Sequence, residues 1–559
     1  MQSADDFQRM IELADRLKFE EWRKTPAVMS RIELKMKLKK IKIQNYASIG
    51  TEGVEITFPK DKPVILFGPN NAGKTNILSG IQSFWDLDGR QSKIPEMPQG
   101  SPKTQEEGGS KIANAAKISN GLTPDTKITL YYEDPGCHED RITELAYDPE
   151  NKRFLNIKPR PDEPISIGST FSGTDYGKVF SELRDILKSG NLMPGRKRLL
   201  ERISSALSKI KHFEGIDAVV SEELLPGKGE LAFLGLVVEI FKASELINEN
   251  NANDTLLLLD EPETHLHFLA QEELMEIINS ICKEEGVQVV IATHAENFLD
   301  ADNLEGFVRV YKENGITKVR QLTDNALHST CNKNVPIGNY WSIKLNTDQF
   351  KGFFADIILL VEGQTEQYAL PVYLTRSFLS ENGVQIVPCY SKSAIPTYWS
   401  LFTAYGYKCF IVFDHDDDIP PKLEQRVKEA ETQEKKKAIQ GEIKNEIDKN
   451  QNLEKLCEFK ASPSCPYIYM MSSLGACFKN NWESYFIEAL GRDYQDIWSN
   501  LQKTIDDFSN KALDAKAIAQ EVRNKGYNMP PFITEIKARL RDLSEMSEDQ
   551  YQMLIKKMN

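Results

Sequence analysis

The stretch Gly68-Pro69-Asn70-Asn71-Ala72-Gly73-Lys74-Thr75 follows the apolar run Pro63–Phe67 and opens into Asn76–Ile81, which reads as a helix. Strand, glycine-bearing loop and helix are the context that makes a G-x-x-x-x-G-K-[ST] match a phosphate cradle. Gly68 and Gly73 let the backbone amides, those of Asn70 and Asn71 among them, close round phosphate oxygens, and the helix N-terminus adds positive potential. Lys74 is placed to reach the terminal phosphates, and the Thr75 hydroxyl to hold Mg²⁺. The expectation is an ATP or GTP site on a parallel α/β sheet.

Two strand ends downstream supply the rest of such a site. Thr255–Leu259 carries four consecutive leucines, as a strand buried on both faces requires, and runs into Asp260-Glu261-Pro262-Glu263. Asp260 is expected to ligate Mg²⁺ through water and Glu261 to polarise the attacking water. Val287–Thr293 is a second buried strand, and His294 stands at its C-terminal end, where α/β sheets present ligands. A γ-phosphate contact is the functional reading of His294, an ordinary structural histidine the other.

These three motifs resemble the ABC-type ATPase heads of recombination and chromosome-maintenance proteins. In that group two heads sandwich the nucleotide, and a signature loop of one meets the γ-phosphate held by the other. The matching place is Pro226-Gly227-Lys228-Gly229-Glu230, before the apolar helix Leu231–Phe241. It departs from the Ser-Gly-Gly-Gln pattern but keeps Gly227 and Gly229.

The remainder of the first half reads as follows. Residues 1–30 form a short amphipathic helix, docked on the next domain or serving as a partner-binding arm. Ile32–Ile49 alternates as a strand pair, with Val54–Phe58 after it. Residues 90–126 read as a flexible surface excursion, Lys127–Tyr132 resumes the sheet, and about 175–215 is a helical insertion.

A second chemistry begins after residue 345. Ile357–Val361 is a buried strand followed by Glu362-Gly363-Gln364-Thr365-Glu366, and Cys409–Phe413 is another, running into Asp414-His415-Asp416-Asp417-Asp418. Acids crowded at apolar strand ends repel one another unless a cation joins them, and all-oxygen donor sets favour Mg²⁺ or Mn²⁺. Asp418 counts among these oxygen donors. The pattern Leu-Val-Glu-Gly-x-Thr-Glu, then strand-Asp-x-Asp, resembles the Toprim domain. An ABC-type head fused to a Toprim domain resembles the OLD (overcoming lysogenization defect) nucleases, from about residue 32 to the C-terminus.

That resemblance implies an α/β fold: an ABC-type P-loop ATPase head with a helical insertion (31–345), then a Toprim α/β domain (346–559). It implies that Glu362, Glu366, Asp414 and Asp416 bind catalytic metals. A further acid is expected past the second strand, and Glu483 fits best, because the apolar run Tyr467–Met471 would return the chain to the sheet's active edge. A C-terminal lysine is expected to steady the scissile phosphate. Lys516 is the choice, with Lys511 and Lys537 open. Residues 419–462 are a charged helical insertion of nearly balanced sign, read as a solvated face, with a DNA clamp through Lys435-Lys436-Lys437 as the alternative.

The implied activity is an ATP-regulated, Mg²⁺- or Mn²⁺-dependent DNA endonuclease of bacterial anti-phage defence, an effector of the retron or Gabija type. Head pairing implies a homodimer or larger. Implied partners are DNA and either a helicase-like protein or a reverse transcriptase with its DNA–RNA hybrid. Two other readings stand beside it: a regulatory ATPase whose Toprim domain binds without cleaving, and an RNA-cleaving or primase-like repair enzyme. Composition agrees with a multidomain globular chain: 559 residues, 40% hydrophobic and 27% charged, with a net charge of −14 that excludes a uniformly basic surface. No apolar run reaches the roughly 20 residues of a membrane span. Asp5, Asp6 and Glu12 do not suit a signal peptide, and eight cysteines without a C-x-x-C pair suit a cytoplasmic chain of free thiols.

Overall fold

The computed structural model describes residues 37–87, 122–133, 141–148, 153–156, 166–171, 229, 232–237, 240, 255–285, 287–330, 337–459, 468–502 and 510–556. The N-terminal helix, the insertion at 175–215 and Gly227 lie outside them. Two compact units emerge, one built mainly from residues up to 319 and one from Arg320 onward.

The first unit contains two sheets. Strand β1 (Lys37–Tyr46) pairs antiparallel with β2 (Val54–Thr57) and with β4 (Leu122–Glu133), and β5 (Arg141–Asp148) and β6 (Arg153–Asn156) extend the sheet in the order β2-β1-β4-β5-β6. The expected strand pair at 32–49 is one strand over its described part. The chain turns only after Tyr46, where Asn45 and Ala47 take left-handed φ and Tyr46 bridges Ile49. Leu122–Thr126, read as loop, belongs to β4, because the Thr126 hydroxyl bonds the Asn45 carbonyl at 2.5 Å and holds this polar strand end on β1.

The second sheet is six-stranded and runs β11-β10-β3-β9-β8-β7. Its members are β3 (Val64–Phe67), β7 (Ser166–Phe171), β8 (Thr255–Asp260), β9 (Gln288–Thr293), β10 (Phe307–Glu313) and β11 (Ile316–Gln321). Strands β7, β8 and β9 are parallel, and helices α1 (Lys74–Leu87) and α2 (Phe268–Glu285) follow β3 and β8. The four leucines of β8 are fully buried, as a strand covered on both faces must be. Residues 232–237 and 240 are helical and buried.

The second unit is organised by β12 (Ile357–Val361), every residue of which is excluded from solvent. It lies between β13 (Val384–Pro388) and β14 (Lys408–Asp414), parallel to both, and β14 pairs in parallel with β16 (Gly475–Phe478). The order is β13-β12-β14-β16-β15, with the antiparallel β15 (Tyr469–Met471) at the edge. Among the helices, α3 (Gln364–Leu374) follows β12, α4 (Ile395–Ala404) precedes β14, and α5 (Ile419–Glu429) and α6 (Gln433–Leu456) form the charged insertion. Helices α7 (Trp482–Leu490), α8 (Arg492–Leu501), α9 (Lys511–Asn524), α10 (Pro531–Glu545) and α11 (Glu548–Lys556) close the chain.

The sequence points to Tyr467–Met471 as the buried strand that returns the chain to the acid edge. That task falls to Gly475–Phe478, which is buried throughout, whereas Tyr469–Met471 is half-exposed. The substitute is short and opens on Gly475, where an added Cβ would sit 2.3 Å from Cys457 Sγ, so a packed sulfur takes the space a side chain would need. Among the described residues no helix is long and apolar enough to cross a membrane.

Candidate active site

In the first unit, strand ends β8 and β9 and the loop before α1 converge. Gly73 has φ +111°, and a Cβ there would fall 2.2 Å from Thr317 Oγ1, so only glycine lets the loop pass. Thr317 ties the loop down by donating to the Ala72 carbonyl at 3.0 Å. Lys74 is only 5% exposed, and its Nζ lies 3.4 Å from His294 Nδ1. The Thr75 hydroxyl donates to Asp260 Oδ1 at 3.3 Å, bringing together the two groups assigned to one Mg²⁺.

His294 Nε2 stands 3.5 Å from Glu261 Oε1. An imidazole with its proton on Nε2 accepts from Lys74 and faces Glu261 with its N–H, so one neutral ring meets both groups. Burial and the neighbouring Lys74 hold the ring's pKa below its usual value. Burial also draws Lys74 down to about 8, against the pull of Glu261 and Asp260, and pushes Asp260 up to about 6. A buried lysine short of its full charge and a partly protonated aspartate are the state that an anionic phosphate and a cation would reverse. Glu263, quoted in the sequence motif without a role, accepts from the His294 backbone amide at 2.7 Å and fixes the strand end. Gly229 approaches the His265 carbonyl so closely that a Cβ would lie 2.7 Å from it.

The second unit gathers its acids where the sheet order reverses, at the C-terminal ends of β12 and β14, the place where α/β sheets open a crevice. Glu362 follows β12, and Asp414 ends β14 with its amide donating to Glu362 Oε2 at 3.3 Å. Glu366, 3% exposed, sits in the first turn of α3 and accepts from the Gly363 amide at 3.0 Å. Burial, followed by Glu362 and Glu483, raises Glu366 to about 7. Burial, then the charges of Glu366, Glu362, Asp416 and Glu483, raises Asp414 well above its ordinary value. Glu483, in the first turn of α7, therefore lies within the electric field of both.

Asp414 Oδ1 is buried and has no hydrogen-bond partner. Orphaned carboxylate oxygen in a cluster of mutually repelling acids is the donor chemistry that a hard divalent cation satisfies. Among the described residues, no three His, Cys, Asp or Glu side chains are already drawn together tightly enough to enclose an ion. The donors are therefore near one another without forming a finished cage.

One basic partner of this cluster escaped the sequence reading. Lys392, 5% exposed in a helical turn after β13, donates to Asp416 Oδ2 at 2.6 Å and to Glu446 Oε1 at 2.8 Å. Burial alone would lower its pKa, but Asp416 and Glu362 outweigh burial and hold the ammonium charged. Asp416 itself has φ +56°, held by its amide's bond to the Asn480 carbonyl at 2.8 Å.

Glu446 belongs to α6, so the insertion reaches the acid loop. His415 is buried between Asp417 (Nδ1–Oδ1 2.5 Å) and Glu454 (Nε2–Oε1 3.2 Å), while Asn450 donates to the His415 carbonyl at 2.6 Å. Helix α6 is thus not solvated all round. A narrow stripe of Glu446, Asn450, Leu453 and Glu454 holds the loop that carries Asp414 and Asp416. Asp418 caps the line of acids but pairs with the exposed Lys422. Of the lysines considered, Lys511 stands 4.0 Å from Glu483, Lys516 lies 5.8 Å from the Tyr368 ring centroid and Lys537 lies 5.7 Å from that of Phe378.

Residues 353–416 match the family described as the overcoming lysogenization defect protein-like TOPRIM domain, a span that includes Glu362, Glu366, Lys392, Asp414 and Asp416. Residues 178–300 match the AAA domain described as putative AbiEii toxin, type IV toxin–antitoxin system, which takes in Asp260, Glu261 and His294. One stretch of the chain thus matches an AAA-type ATPase domain and a later one an OLD-like TOPRIM domain. It is similar to the OLD nuclease of Thermus scotoductus (strain ATCC 700910 / SA-01), with 22% identity over 489 residues that cover 75% of this chain and 88% of the relative. Among solved structures, an SMC head bound to the C-terminal winged-helix domain of ScpA matches at 17% identity and a TM-score of 0.33, over 52% of this chain and 99% of that one. The recombination mediator RecF with ATP matches at 14% identity and a TM-score of 0.27, over 52% and 98%. Scores of this size leave the ATPase fold resting on its own strand order and phosphate loop.

Proposed function

We propose that this OLD-like ATPase–nuclease is a divalent-metal-dependent DNA endonuclease governed by ATP. The observation that carries the reading is the buried, unpartnered Asp414 Oδ1 amid Glu362, Glu366 and Glu483, an oxygen a divalent cation would satisfy once the carboxyl is ionised. Glu362, Glu366, Asp414, Asp416 and Glu483 would hold Mg²⁺ or Mn²⁺. Such ions, when bound, supply a water of lowered pKa and neutralise charge on a phosphoryl group. Lys392 orients Asp416 by donating to its Oδ2, and α6 holds the loop through His415. In the ATPase unit, Lys74 and the loop amides bind phosphate, Thr75 and Asp260 hold Mg²⁺, and Glu261 positions water with His294 beside it. The reading extends to a homodimer through the heads and to anti-phage defence. Supercoiled plasmid with Mg²⁺ or Mn²⁺ should be nicked and linearised, and EDTA should stop the reaction. Plasmid that stays intact under every metal and nucleotide condition would overturn the nuclease reading.

Glu483 provides a sharper check. Glu483→Gln removes one charge from the field of Glu366 and Asp414 without shortening α7, whose N-cap is Asn481. The expected outcome is fewer Mn²⁺ ions bound per chain by calorimetry and cleavage reduced on the order of a hundred-fold or more. Equal ion counts and equal cleavage would return Glu483 to an ordinary helix start.

A further inference from the structure

Beside Glu483 the second unit opens a cleft of about 70 Å³ that is partly open to solvent. Its walls are aromatic. Tyr373 and Phe486 stack with centroids 5.0 Å apart and planes 21° apart, Phe486 continues to Trp482 at 4.4 Å, and Tyr494 and Trp498 stack at 6.0 Å and 10°. The polar groups lining it are few: Glu483, Lys511 and Asp514. Lys511 is well exposed and stands 4.0 Å from Glu483.

A second observation sets this cleft apart from ordinary core. Tyr373 is 1% exposed, and its hydroxyl is buried without a hydrogen-bond partner. A buried hydroxyl left unbonded destabilises the fold, and a chain whose only need there was packing would be served better by phenylalanine. Flat π-walls, an unused hydroxyl and a cation at the mouth together describe the surroundings of a planar heteroaromatic group attached to an anion.

We infer that this cleft receives one unpaired nucleobase of the strand being cut, stacked on the aromatic walls and bonded by the Tyr373 hydroxyl. The inference rests on the nuclease reading and goes beyond it. The reason is continuity: Glu483, in the first turn of α7, lines the cleft and belongs to the acid set proposed to hold the metal, so a phosphate at those acids carries its neighbouring base to the cleft. Every base has a π-face, so stacking serves any sequence, whereas the hydroxyl and Asp514 can choose among base edges. Duplex DNA must then release one base at the cleavage position, which favours ends, gaps or distorted sites.

The test uses the full chain with Ca²⁺ in place of Mg²⁺ and single-stranded oligonucleotides carrying 2-aminopurine at successive positions. One position next to the cut should be quenched on binding, and an abasic residue there should weaken binding by about five- to a hundred-fold. Trp498→Ala should abolish both effects. Tyr373→Phe should leave the unfolding midpoint unchanged or raised, yet weaken binding of the intact strand and not of the abasic one. Lys511→Gln, on an exposed side chain, should lower affinity for both strands alike and shrink the salt dependence by about one phosphate contact. A flat abasic scan with a wild type that cleaves DNA would refute the cleft and leave the nuclease standing. A wild type that cleaves nothing refutes the nuclease reading instead, and quenching at one position then still reports the cleft by itself. Displacement of the quenched strand by an aromatic peptide, with no preference for intact over abasic DNA, would assign the cleft to a protein partner.

Discussion

Asp414→Asn is expected to abolish DNA cleavage, by on the order of 10³-fold or more, while ATP turnover stays near wild type. The size follows from removing a donor of the group that acts as a unit, where loss of one member costs nearly as much as loss of all. The separation follows from membership of different units: Asp414 belongs to the second compact unit, and Lys74, Asp260 and Glu261 to the first. A second readout distinguishes lost chemistry from lost fold. Asp414 is raised by burial and by its acidic neighbours, so the folded chain retains that proton to higher pH than the unfolded one. A carboxylate of this kind contributes most stability below its ordinary pKa and loses that contribution as pH rises. Without metal, Asp414→Asn should therefore melt higher than wild type at neutral pH, the gap closing on acidification. A variant that melts lower at pH 7.5, or that still cuts plasmid in Mn²⁺, sinks the assignment.

Lys74→Ala is expected to remove ATP hydrolysis, by on the order of 10²- to 10³-fold, and with it measurable binding of the nucleotide. The lysine is the cation among Asp260, Glu261 and Glu263, so its loss leaves three neighbouring carboxylates without it. For that reason Glu261→Gln is the companion: it should retain nucleotide binding and lose turnover. Cleavage measured without nucleotide should be unchanged in both variants. ATP turnover in Lys74→Ala within a few-fold of wild type would place the nucleotide chemistry elsewhere in the chain.

The acids and the phosphate loop were legible because each stands immediately after a run of four or five apolar residues. A fully buried parallel strand leaves that signature, and the first polar residue past it must lie at the sheet's edge, as Glu362, Asp260 and Asp414 do. Lys392 left no such mark. It follows a strand by a short turn, 24 residues before Asp416, and only the fold brings the two within 2.6 Å. The inward stripe of α6 was hidden by dilution: Glu446, Asn450, Leu453 and Glu454 repeat at helical spacing, but three of the four are polar inside a highly charged helix. A scan for polar residues at helical spacing, rather than for apolar ones, would have found it. The misplacement of the last buried strand has a simpler cause, since Gly475–Phe478 is only four residues long and Tyr469–Met471 looks more hydrophobic.

Glu261 and Asp416 have φ of +50° and +56°, values at which a side chain is strained and glycine or asparagine rests easily. Both positions are thus held against the preference of their own backbone, one in each compact unit. At the exposed Glu261, change to Gly or Asn would relax the backbone and firm up the fold as it silenced the site. At Asp416 the same relief is opposed, because it would strand the buried Lys392 without its partner, so of the two only Glu261 is free to soften in a copy of the gene released from selection.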